Sequence, residues 1–183
     1  MIKWENFSDF ITTGIPAEIL YPSLALTMLA ILVGVFSTHI KKKRAFIIWA
    51  LLLEYLFIVI CSTVICRKEY YFVFDRLELV PFWTYRAVIN HVPGVSVWDI
   101  VLNVVLFIPL GFLLKLLYPS ATILKVLLLA LSCSLFIEFN QFFFEKGAAQ
   151  IDDVIHNTVG AAIGWSFAKI AMAVSQRIMR NNR

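Results

Sequence analysis

Apolar residues fall into five long blocks along this chain, separated by three short polar breaks and one long one. The first block covers about residues 19–40 and is closed by Lys-Lys-Lys-Arg at 41–44; the second covers about 45–66. A third follows at about 99–118, a fourth at 122–144 and a fifth at 153–174, where basic residues set in. Each approaches the ~20 residues that a helix needs to cross the hydrocarbon core of a bilayer. Between the second and third blocks, residues 67–98 are too charged to cross and rich in Trp, Tyr and Pro. The pattern predicts an all-α fold, a polytopic membrane bundle of five transmembrane helices, as one domain over 1–183. The first 18 residues are mixed, but Trp4, Phe7, Phe10 and Ile11 would share one face of a short helix lying in the membrane interface. They lack the basic head, apolar stretch and small-residue cleavage site of a signal peptide.

Composition agrees. The chain is 61% hydrophobic and only 15% charged, where a soluble domain carries roughly a quarter charged residues. Its mean hydropathy is +0.83. The net charge of +4 does not point to nucleic acid, because no basic stripe with interleaved aromatics is present. Cys61, Cys66 and Cys133 lie within or at the ends of apolar blocks, without metal-binding spacing, and read as packing residues. No metal or cofactor motif is visible.

The basic residues set an orientation. The Lys-Lys-Lys-Arg loop, Lys115, Lys125, Lys169, Arg177, Arg180 and Arg183 gather on one side, which the positive-inside rule makes cytoplasmic. The amino terminus is then expected outside, with residues 67–98 extracytoplasmic. The tail of the fourth span and the heads of the third and fifth would meet at the outer headgroup level.

Costly side chains concentrate at that level. Ser134, Glu138, Gln141 and Glu145 recur at one face of a 3.6-residue period. Asp153 and Asn157 continue into Ala161, Gly164 and Ala168, a stripe that is polar above and small below. Gly160 and Gly164 form a GxxxG pair that admits a close helix neighbour. Asp99 and Asn103 share a face at the head of the third span. A carboxylate within an apolar span costs a few kcal/mol (~2.5–3.5 on insertion scales) unless paired or wet, so Glu138 is a functional candidate. Asp152 and Asp153 can equally cap a helix N-terminus, His156 suits a structural role, and Glu54 can hydrogen-bond within the bundle. Pro109 and Gly111 predict a kink in the third span.

The order "LVPFWTY", "NVVLFIPLGFLL", "SLFIEFNQ" and "DDVIHNTVGAAIG" resembles the VanZ-like family of bacterial membrane proteins, over roughly residues 75–168. The resemblance implies an association with teicoplanin resistance, and places the family's polar signature on Arg76, Asn103, Glu138, Gln141, Asp153 and Asn157. Relatives commonly carry an arginine six residues before the aspartate and an acid midway; here those positions are Gly147 and Gln150, with Lys146 adjacent. A lysine lacks the two-pronged grip of arginine. The leading expectation is a non-enzymatic protein that binds or modulates a lipid-linked cell-wall precursor, a membrane lipid or a lipoglycopeptide at the outer leaflet. An intramembrane enzyme for a lipid-linked substrate is the alternative, with Glu138, Asp152, Asp153 and His156 as acid–base groups or cation ligands. A transporter using Glu54 and Glu138 as a relay fits five spans without a repeat less well.

Overall fold

The computed structural model describes residues 15–37, 42–66 and 77–182. Five long helices are apolar enough to cross a membrane, and they coincide with the five blocks. They are α1 (Ala17–Phe36), α2 (Lys43–Ile60), α4 (Val97–Leu117), α5 (Ile123–Phe143) and α6 (Ile151–Asn181). A short helix, α3 (Trp83–Ile89), lies in the long polar segment. The chain is a multi-pass membrane protein. The N-terminal stretch read as an interfacial helix, and Arg76, lie outside the described residues.

Helix ends follow local chemistry. Ser96 and Asp99 form a capping box that starts α4, with the Ser96 N–H donating to Asp99 Oδ2 at 2.7 Å. Asp99 is therefore a capping residue. The last turn of α2 widens into a π-helical turn, Cys61–Ile65, closed by the Cys66 N–H donating to the Cys61 carbonyl at 2.7 Å. The fifth span runs beyond its expected end because its basic last turns stay helical while exposed.

The centre of the bundle is the crossing of α4 and α6, the most extensive helix contact among the described residues. Here the small stripe finds its neighbour. A Cβ placed on Gly164 would stand 1.9 Å from the Ile108 carbonyl oxygen, and one on Gly160 2.1 Å from that of Val104. On the facing helix, a Cβ on Gly111 would meet the Ala161 carbonyl at 1.9 Å. Backbone thus lies against backbone, which only small residues allow. Leu52, Phe107, Leu110, Val126, Ala130 and Ile137 pack around this crossing as the apolar core.

α4 continues through Pro109, and the Tyr55 hydroxyl donates to the Leu106 carbonyl at 2.6 Å beside it. The carbonyl that Pro109 deprives of its helical donor is that of Val105, so the Tyr55 bond ties α2 to α4 next to the break rather than repairing it. At the opposite end Lys115 donates to the carbonyls of Pro119 at 2.6 Å and Ala121 at 3.1 Å, with its ammonium 5.1 Å from the Trp165 ring centroid. That arrangement closes the α4–α5 turn against α6. α1 packs chiefly on α2 and leaves most of its surface exposed.

Candidate functional site at the polar end of the bundle

Three of the sequence candidates, Glu138, Gln141 and Asn157, are buried where α5, α6 and the end of α2 meet. Each ties α5 to something else. The Gln150 N–H donates to Glu138 Oε2 at 2.9 Å. Gln150 is the N-cap of α6, so a carboxylate on α5 holds the positive end of α6. Gln141 Nε2 donates to the Thr63 carbonyl at 3.1 Å, in the π-helical turn. An i+5 turn misdirects its carbonyls relative to an α-helix, and a side chain from α5 takes one up. Asn157 Nδ2 donates to Ser134 Oγ at 2.8 Å, joining the two polar stripes.

Asp153 is half-buried at the head of α6, one turn before Asn157. Asn103 is half-buried on α4 at the level of the glycine crossing, since its neighbour Val104 touches Gly160. It makes no hydrogen bond to the other candidates among the described residues. Glu145 leaves the stripe: α5 ends at Phe143, and Glu145 turns the chain at φ 56°.

A second group of contacts binds the polar segment to this end. Asp152, only 2% exposed, accepts hydrogen bonds from the N–H groups of Phe82 at 2.6 Å and Thr84 at 2.8 Å. It therefore caps α3, a helix distant in sequence, as well as standing in the first turn of its own. Phe82 sits in the left-handed region at φ 63°, a cost for a bulky residue, which these two bonds help offset. One turn along α6, His156 Nε2 shares a hydrogen bond with the Tyr85 hydroxyl at 2.9 Å, and the two rings stand edge to face. A two-residue parallel pairing, Leu77 with Ala149 and Glu78 with Gln150, completes the attachment. Sequence reading misses Asp152, Thr84 and Tyr85 as one unit. The visible signal is the spacing of Asp152 and His156, four apart on one helical face.

Four buried polar atoms in this region have no hydrogen-bond partner among the described residues: Thr84 Oγ1, Gln141 Oε1, His156 Nδ1 and Asn157 Oδ1. The side chains that carry them are at most 3% exposed. Each already uses another atom, or its backbone, in the contacts above, so the free atoms are directed by a rigid frame. Two are amide oxygens, which accept only, one is a hydroxyl, and the ring nitrogen accepts or donates with the tautomer. The arrangement can therefore receive hydrogen-bond donors. The groups that acid–base chemistry would require are partly committed elsewhere, Asp152 to two backbone amides and His156 to Tyr85. No group of three or more His, Cys, Asp or Glu suited to a metal ion stands together among the described residues.

Comparison with known proteins gives a family for most of the chain. The family described as VanZ/LLP1 matches residues 46–172, which takes in α2 to most of α6 and leaves out α1. Protein VanZ of Enterococcus faecium is 44% identical over 62 residues, or 34% of this chain and 38% of that protein. The matched stretch thus spans well under half the length of that relative. No solved structure matches the chain.

Proposed function

This chain belongs to the VanZ/LLP1 family, and on that premise we propose that it contributes to resistance against teicoplanin and related lipoglycopeptides. Its part is to bind, without catalysis, the headgroup of an amphiphile at the outer leaflet of a bacterial cell membrane. The amphiphile is a lipid-linked cell-wall precursor, a membrane lipid or the drug itself. The observation that carries the reading is the set of four buried polar atoms at one end of the bundle that have no partner among the described residues. A buried polar group without a partner costs about 1–3 kcal/mol, so four such atoms favour a bound donor. A headgroup with hydroxyl and amide N–H groups supplies donors of that kind, and Lys146 and Arg86 bring positive charge to the same end of the chain's course.

The orientation belongs to this proposal. Lys42 caps the start of α2 and Lys43 and Arg44 open it, on the side that also holds Lys125 and the basic end of α6, and that side is cytoplasmic. An impermeant thiol reagent should fail to label engineered cysteines at 42 and 182 in intact cells; labelling of either reverses the topology and removes the site from the outer leaflet.

The function itself is tested by Glu138→Gln and Asp153→Asn at matched expression. Both keep side-chain volume and remove charge. If charge serves recognition, either should abolish protection against teicoplanin while vancomycin sensitivity barely changes, because vancomycin lacks the lipid tail. Full protection in the double variant would return both carboxylates to capping and packing.

A further inference from the structure

We infer that a bilayer phospholipid seats one acyl chain in a groove between α2, α4 and α5, just below the polar end. A cavity of about 210 Å³ lies there, walled by Tyr55, Leu56 and Ile60 of α2, Phe107 of α4, and Cys133 and Phe136 of α5. It exceeds an apolar cavity of ~150 Å³ that holds benzene, and so accommodates a run of methylenes. Its hydroxyls are turned away: Tyr55 donates to the Leu106 carbonyl and Ser132 to the Leu128 carbonyl. Water needs two to four polar partners to occupy a cavity, and these walls spare none. The groove opens sideways, since Ser132 and Phe136 on its rim are exposed on the outside of the bundle. These residues lie within transmembrane spans, so the medium at that mouth is hydrocarbon. Phospholipid is the amphiphile whose tails meet the mouth at the highest concentration.

The roof gives the chain its direction. One turn above Ile137, Gln141 bridges α5 to the Thr63 carbonyl and leaves Oε1 without a partner among the described residues. A tail in the groove would therefore rise toward the polar end, so the inference deepens the proposed function; the groove itself rests only on its walls and mouth.

The test uses the full chain in nanodiscs of phosphatidylglycerol bearing a diazirine in its acyl chain, with adducts mapped by mass spectrometry after photolysis. Adducts should concentrate on Leu56, Ile60 and Phe136 relative to Leu26 and Leu29, which are exposed on α1. Cys133→Phe and Leu56→Trp fill the groove from two helices, and each should lower groove adducts several-fold while leaving those on α1 unchanged. Equal labelling of groove and α1, or no loss on filling, overturns the proposal. So does loss of groove adducts on adding a small mole fraction of polyprenyl phosphate that leaves α1 adducts unchanged, which would assign the groove to an isoprenoid. If neither filled variant inserts, the ratio of groove to α1 adducts decides on wild type alone, because equal labelling of the two overturns the proposal. The adduct pattern of Glu138→Gln separates the two readings. Groove adducts that persist while protection is lost leave both standing. Full protection defeats the headgroup reading and leaves the groove to its own data.

Discussion

The α1–α2 pair and the α5–α6 end each carry a carboxylate inside an apolar helix, and the two are held differently. Glu54 receives one hydroxyl on each oxygen, from Ser23 and Thr27 on α1, both at 2.9 Å. Those residues are four apart, so one face of one helix supplies both donors. Glu138 receives the backbone N–H of Gln150, at an end of the bundle where four buried polar atoms have no partner among the described residues. The first arrangement is interhelical glue of the usual membrane kind, complete within itself. The second leaves acceptors over after its structural work is done. A polar residue in a membrane span points to function when its surroundings, taken together, still lack donors; being polar and buried does not suffice.

The packing around the two sites differs in the same sense. α4 and α6 meet backbone to backbone, whereas Gly34 of α1 faces the Phe46 ring, with Cε1 2.2 Å from where a Cβ would stand. A ring can rotate aside; a carbonyl held in a helix cannot. Gly164→Ala should therefore lose ~3 kcal/mol or more, enough to lower the amount of folded protein, while Gly34→Ala should lose about 1 kcal/mol. Thermal melting in detergent measures both. Equal losses would erase the distinction between a rigid centre and a yielding edge.

Next in size is Asp152→Ala, which frees two backbone donors at the start of α3. Hydrogen bonds to charged groups contribute ~1.5–3 kcal/mol each, although removing the buried carboxylate also relieves its own desolvation, so a loss of about 2 kcal/mol is expected. Amide exchange should quicken at Phe82 and Thr84 well before the spans loosen. Asp99→Ala, at an ordinary exposed cap, should cost ~1 kcal/mol. Were the order reversed, Asp152 would not be what holds the polar segment down.

These differences explain what could be read from sequence. The five spans are legible because an apolar block of bilayer length has one solution, and the Ser134–Glu138–Gln141 stripe is legible because helical period is local. The partner of Gly160 and Gly164 was open, although the small stripe showed that one must come close. Asp152 could not be resolved, because both of its donors lie some 70 positions away in a segment without strong periodicity. Helical period puts Glu145 on the stripe, and nothing local says that α5 stops at Phe143. Contacts fixed by helical period could be read; those set by how a loop folds back could not.

The smallest expected effect is the most discriminating. Glu54→Gln keeps an amide oxygen for Thr27, while Ser23 retains the Leu20 carbonyl that it also reaches at 2.9 Å. Glu138→Gln keeps an acceptor for the Gln150 N–H and removes the charge facing the end of α6. Both should therefore change stability by no more than ~1 kcal/mol, within the range of a single hydrogen bond. Stability alone thus does not separate them. Their consequences should still part: protection against teicoplanin should survive Glu54→Gln and fail with Glu138→Gln at equal protein levels. Loss of protection in both, with neither destabilised, would break the comparison. Glu54 would then belong to the working machinery, and a relay between the two carboxylates would become the better account of the protein.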